Sequence, residues 1–156
     1  MSFQVSGLDY AEFATLFSLN DEQLAERRIV RRVADRKPGF PCRVSLRDAE
    51  PGDAVLLLNY EHLAVASPYR SRHAIYVREN AERASPGIDE VPEVLRTRLL
   101  SLRAFDGEGM MVEADVVPGQ EAHAVIRRML GNPRVKFLHA HNAKQGCFAA
   151  RIDRVG

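Results

Sequence analysis

Two apolar runs, residues 99–105 and 110–117, flank Asp106-Gly107-Glu108-Gly109, and that pattern predicts an antiparallel hairpin. Glycine fits the turn because it reaches backbone conformations closed to other residues. In the second run Met110, Val112, Ala114 and Val116 alternate with polar residues and are expected to face a core, leaving Glu113 and Asp115 on the wet side. The same β-type patterning recurs at 29–34, 42–46, 54–62, 73–78, 135–141 and 147–153, with turn formers between the runs. Helical spacing is confined to 120–130, where Ala122, Val125, Ile126, Met129 and Leu130 form one stripe, and to three short stretches. Two of these lie near the N-terminus, behind the capping signals Asp9 with Glu12 and Asn20 with Gln23. The third follows Pro92. Consecutive strands with few helices between them predict an α+β fold, not a doubly wound parallel sheet. The expected architecture is a largely antiparallel sheet of about six or seven strands, covered by the 120–130 helix and the short N-terminal helices. Residues 79–90, charged and containing Pro86 and Gly87, read as the most mobile loop of the chain.

A chain of 156 residues with 46% hydrophobic content suits one domain spanning 1–156 with one core. The 22 basic and 21 acidic residues nearly cancel, so no overall field directs the chain to nucleic acid or to an anionic membrane. The N-terminal residues carry no basic and apolar leader pattern, and no apolar run is long enough to span a bilayer. Two cysteines, Cys42 and Cys147, do not make a disulfide framework and are expected as thiols in a reducing compartment. A soluble, cytoplasmic protein is the expectation.

Chemistry gathers at Leu138-His139-Ala140-His141-Asn142-Ala143-Lys144-Gln145-Gly146-Cys147. Strand alternation puts His139 and His141 on one face. If 142–146 is the connecting loop, His141 lies opposite Cys147, and the two imidazoles and the thiol converge. Such a trio suits a Cys nucleophile with a His base, or a His/His/Cys metal site with an open fourth position. It depends on register, because a slip of one residue moves Cys147 to the other face. The alternative is structural, with hydrogen-bonded histidines and a buried free thiol. His62 and His73, at strand ends, and Cys42, after the Pro-Gly-Phe-Pro break, are further candidates for a base or an additional ligand. His123 lies off its helix stripe and is read as solvated.

Eight cations between Arg27 and Arg47, with Asp35 the one acid among them, read mainly as a solvated edge strand, with Arg43 beside Cys42 the exception. The 68–73 connection brings Tyr69 and Arg70 together, a combination suited to an anion. No phosphate loop, G-x-S-x-G, H-E-x-x-H or C-x-x-C occurs, so no cofactor is specified.

Pro41-Cys42-Arg43-Val44-Ser45-Leu46, Leu57-Leu58-Asn59-Tyr60-Glu61, Ser67-Pro68-Tyr69, Leu138 to Ala143, and Gly146-Cys147-Phe148-Ala149-Ala150-Arg151 form separate blocks of one pattern. The chain resembles the bacterial family of domain of unknown function 1203. That resemblance implies a single-domain bacterial protein, brings no activity, substrate or cofactor, and allows a small residue at the position of His73. The resulting expectation is a small enzyme or a binding protein for a small, anionic ligand. His141 would act as base or ligand, Cys147 as thiolate and His139 beside them, with Cys42, Arg43, Tyr60, Tyr69, Arg70 and Asn142 lining the pocket. The alternatives are a His/His/Cys metal-binding protein and a non-catalytic module that forms a homodimer through a sheet edge.

Overall fold

A computed structural model describes all of residues 1–156. The chain runs β1 (Ser2–Ser6), 3-10 turns at Tyr10–Glu12 and Ala14–Ser18, α1 (Asp21–Glu26), β2 (Val30–Val33), β3 (Pro41–Cys42), β4 (Arg47–Asp48), β5 (Ala54–Leu63) and β6 (Ser71–Arg78). It continues with α2 (Glu93–Arg96), β7 (Leu99–Phe105), β8 (Met111–Pro118), a 3-10 turn at Gly119–Glu121, α3 (Ala122–Leu130), β9 (Phe137–Asn142) and β10 (Phe148–Val155). No helix is long and apolar enough to cross a membrane.

The chain divides into two compact units, one made of Met1–Ser6, Glu61–His73 and Ser85–Gly156, the other of Gly7–Tyr60 and Ala74–Ala84. The class is α+β as expected, but the strands form two five-stranded sheets instead of one sheet of six or seven. Propensity marks which segments are extended and says little about which of them pair, because pairing is decided between segments distant in sequence. β1 is the clearest example: Phe3 and Val5 alternate with polar residues over only five positions, and the strand forms by pairing with β10 at the far end of the chain.

In the first unit the strand order is β1-β10-β9-β7-β8, antiparallel throughout. One face carries Phe3, Val5, Ile152, Leu138, Ala140, Leu100, Leu102 and Ala104, all at most 1% exposed. α3 lies against β1, β7 and β8 and buries Ala122, Ile126, Met129 and Leu130 of the stripe its spacing predicts, with Val125 half-buried at its margin. Each fully buried side chain of this size contributes about 1.5–3 kcal/mol, so α3 holds to the sheet far more strongly than its nine residues could hold themselves helical. Central β9 is buried along its whole length.

β8 departs from expectation. Met110 and Val116 are exposed and Val117 is buried, because a register shift at Ala104/Phe105 and pairing of Val117 with Leu100 turn Val117 to the α3 side. β8 is also an edge strand, so its other side need not be apolar. The same shift puts Glu113 and Asp115 on the α3 side of β8 and not on the opposite side as expected, and both pair with Arg128 of α3.

The second unit holds most of the sheet ordered β2-β5-β6-β3-β4, with β2 antiparallel to β5 and β3 parallel to β6. The Asn20 and Gln23 signal forms a full capping box: each side chain accepts from the other's backbone N–H, at 2.8 and 2.9 Å, and α1 follows. The Asp9 signal yields 3-10 turns in place of an α-helix, with Asp9 accepting from the Ala11 N–H. The last residues of β5, Glu61–Leu63, belong to the first unit, which places His62 there.

A buried three-histidine cluster as the candidate functional site

The site grows from the parity of β9. Phe137, His139 and His141 share the face turned away from α3, and pairing with β7 sets Phe105, Arg103 and Ser101 directly opposite them. β10 adds Phe148 opposite His141 and Arg151 opposite His139. Residues three apart on a regular strand point to opposite faces, so a bulge between Phe148 and Ala150 is what keeps both on the histidine side.

That register differs by one residue from the expectation. β9 extends through Asn142, whose N–H donates to the Cys147 carbonyl at 2.9 Å, so His141 lies opposite Phe148 and the ring of Phe148, not the thiol of Cys147, enters the cluster. The cause is the tight return at 142–146, where Gly146 takes φ +80 and its N–H donates to the Asn142 carbonyl at 2.7 Å. Cys147 is buried and in no disulfide, and its Sγ accepts from Asn142 Nδ2 at 3.5 Å.

The third member is His62, near the end of β5. Its ring centroid lies 4.9 Å from His141 and 5.8 Å from His139, and those two are 6.2 Å apart. Phe148 stacks flat on His62 at 5.4 Å and presents an edge to His139 at 5.0 Å. One ring nitrogen from each histidine lies within 4.8 Å of the other two. The Gly146 carbonyl accepts from His141 Nδ1–H at 3.0 Å, which leaves Nε2 as the lone-pair nitrogen of that ring. His141 Nε2, His139 Nδ1 and His62 Nδ1 are buried without any hydrogen-bond partner.

Electrostatics keep all three rings neutral. Burial pushes His139 down to about 2, with His141, His62, Arg151 and Arg103 adding to the effect. Burial likewise pushes His141 down to about 3, against the Gly146 hydrogen bond that favours the charged ring, and Arg103, His62 and His73 depress it further. His62 falls to about 4, through burial first and then through Arg103 and His73. Neutral imidazole is the form that ligates a metal or accepts a proton.

Two cations share this face. Arg151 lies over the Phe137 ring at 4.2 Å and chelates Asp153 at 2.9–3.1 Å. Arg103 is half-buried and donates from Nε to Ser101 Oγ at 3.2 Å.

Of the remaining predicted residues, Tyr69 borders the cluster through Phe105, which it meets edge-on at 6.2 Å, while Arg70 pairs with Glu61 at the surface. Cys42, Arg43 and Tyr60 belong to the other unit. There Cys42 Sγ accepts from the Arg78 N–H, Arg43 donates to the Pro41 carbonyl, and Tyr60 packs on Phe13. Sequence reasoning marked His62 only as a strand-end histidine and missed Ser101, Arg103 and Phe148. Strand parity held a signal for the first two, since Ser101 and Arg103 alternate with apolar Leu100, Leu102 and Ala104 on a strand next to β9.

A family model described as "Protein of unknown function (DUF1203)" matches residues 39–154, a span that contains all three histidines. No curated protein and no solved structure matches the chain.

Proposed function

From the premise that this chain belongs to the DUF1203 family, whose description assigns it no activity, we propose that His62, His139 and His141 form a mononuclear centre for a divalent transition metal. The observation that carries this reading is the set of three buried imidazole nitrogens, one per ring, that have no partner. An unpaired buried polar atom costs about 1–3 kcal/mol. Three of them in one cluster are a heavy penalty in an apo protein, and one metal ion removes all of it.

Geometry and donor chemistry support the same reading. Ligands at 2.0–2.1 Å around tetrahedral zinc stand about 3.3 Å apart, so nitrogens now within 4.8 Å need only small ring rotations to close on an ion. Three neutral imidazoles suit zinc, copper, iron or nickel and suit calcium or magnesium poorly. The His141 hydrogen bond to a backbone carbonyl is the support that metal-bound imidazoles commonly have. With three protein ligands a fourth position stays open, which suits polarising a bound carbonyl or lowering the pKa of a bound water.

Metal analysis of tag-free protein, followed by Co(II) titration of the chelator-treated protein, tests the centre. Near one equivalent of a transition metal per chain, with ligand-field bands on Co(II) addition that vanish in His139→Gln, is the expected outcome. Substoichiometric zinc, iron, nickel and copper together with a featureless Co(II) titration would refute it.

A further inference from the structure

We propose that Arg103 makes this centre a carboxylate site: a small monocarboxylate places one oxygen on the metal and presents the other to the Arg103 guanidinium. The inference rests on the three-histidine centre and adds the class of ligand that completes it.

Arg103 stands directly across from His139, so its side chain leaves the sheet on the histidine side. Its Nε–H donates to the Oγ of Ser101, the residue across from His141, and this holds the side chain on the sheet face that carries both rings. Unlike Arg151, which chelates Asp153, or Arg70, which pairs with Glu61, Arg103 makes no ion pair. The metal cluster itself contains no carboxylate. A divalent ion held by three neutral imidazoles beside an unpaired guanidinium carries a strong local positive charge, and an anionic ligand is what balances it. The planar guanidinium fork matches the geometry of a carboxylate.

The walls choose among anions. Phe105, Phe137 and Phe148 surround His139 with ring centroids at 5.5, 5.2 and 5.0 Å. Aromatic rings welcome an apolar or aromatic body attached to the anionic group and offer no hydrogen bonds to the further oxygens of a phosphate.

The test uses the full chain loaded with Co(II), with benzoate and inorganic phosphate as probes and the ligand-field spectrum as readout. Benzoate is expected to shift the bands of the wild type, with phosphate weaker. Arg103→Gln should weaken benzoate by about ten- to hundredfold, the worth of a charge-assisted hydrogen bond. Arg103→Lys, which keeps the charge and loses the fork, should fall between. The benzoate-free Co(II) spectrum should be the same in all three proteins, which shows the centre intact and the variants folded around it. Equal benzoate affinity in wild type and Arg103→Gln overturns the role of Arg103. Phosphate binding tighter than benzoate overturns the carboxylate class. Absence of ligand-field bands in the wild type refutes the metal centre, and this inference falls with it.

Discussion

Acid should destabilise the metal-free protein well above the range in which carboxylates titrate. His62, His139 and His141 have folded pKa values of about 4, 2 and 3, against an ordinary value of 6.5. Below pH 6.5 the unfolded chain takes up a proton at each of these rings while the folded chain takes up almost none, so stability falls with pH until the folded values are reached. At pH 5 the gap to 6.5 is about 1.5 units, or roughly 2 kcal/mol for each well-buried ring. His139 and His141 together then contribute about 4 kcal/mol, and half-buried His62 about 1 after allowance for solvent screening. The expected slope near pH 5.5 is between two and three protons, about 3 kcal/mol per pH unit. Asp89 and Asp106 have carboxyls held below the usual range, mainly by backbone hydrogen bonds from Phe3 and from Met110, so their stabilising share is lost only at lower pH. A loss of about 5 kcal/mol is comparable to the whole stability of a typical domain. Urea unfolding followed by circular dichroism at pH 7, 6, 5.5 and 5, with chelator present, measures it. A loss below about 1 kcal/mol between pH 7 and 5, less than one proton's worth, would show that the three rings are not held neutral by burial.

Substitutions at three positions of the β9–β10 connection test how the cluster is assembled. Gly146 sits at φ +80 with nothing within 4 Å of an added Cβ, so Gly146→Ala should cost about 1–2 kcal/mol through backbone strain alone; Gly146→Asn should recover part of it in a thermal melt, because asparagine tolerates this region. Phe148→Ala should lower the denaturant midpoint by an amount equivalent to about 3–5 kcal/mol and abolish metal uptake, whereas Cys147→Ala should leave metal stoichiometry unchanged. Loss of metal in the cysteine variant would mean that the thiol, and not the Phe148 ring, belongs to the cluster.

Much of the local structure was legible in the chain. The Asn20 and Gln23 capping box, the apolar stripe of α3, the hairpin around Asp106-Gly107-Glu108-Gly109 and the shared face of His139 and His141 all depend on neighbours a few residues apart. Each follows from a period or a cap that any reader of the sequence can count. The side taken by Glu113 and Asp115 was not legible, since the register shift in β8 turns both toward α3, where they pair with Arg128.

What decides the site is not local. Moving the loop boundary by one residue exchanges Cys147 for Phe148, because side chains alternate faces at every step, and the left-handed turn at Gly146 that sets where pairing resumes is a conformation the sequence permits without specifying it. His62 lies seventy-seven residues before His139, so only the packing of the end of β5 in the first unit brings it to the other two rings. The bulge at Phe148 and Ala150 puts Phe148 and Arg151 on one side, and the opposition of Arg103 to His139 is a matter of register between β7 and β9. The sequence by itself determined the α+β class, the elements and the pair of histidines on one strand, since these rest on backbone geometry and side-chain period. The tertiary structure decided that the third group is an imidazole instead of a thiol, because convergence is set by long-range pairing and by which rings fill the space above the sheet.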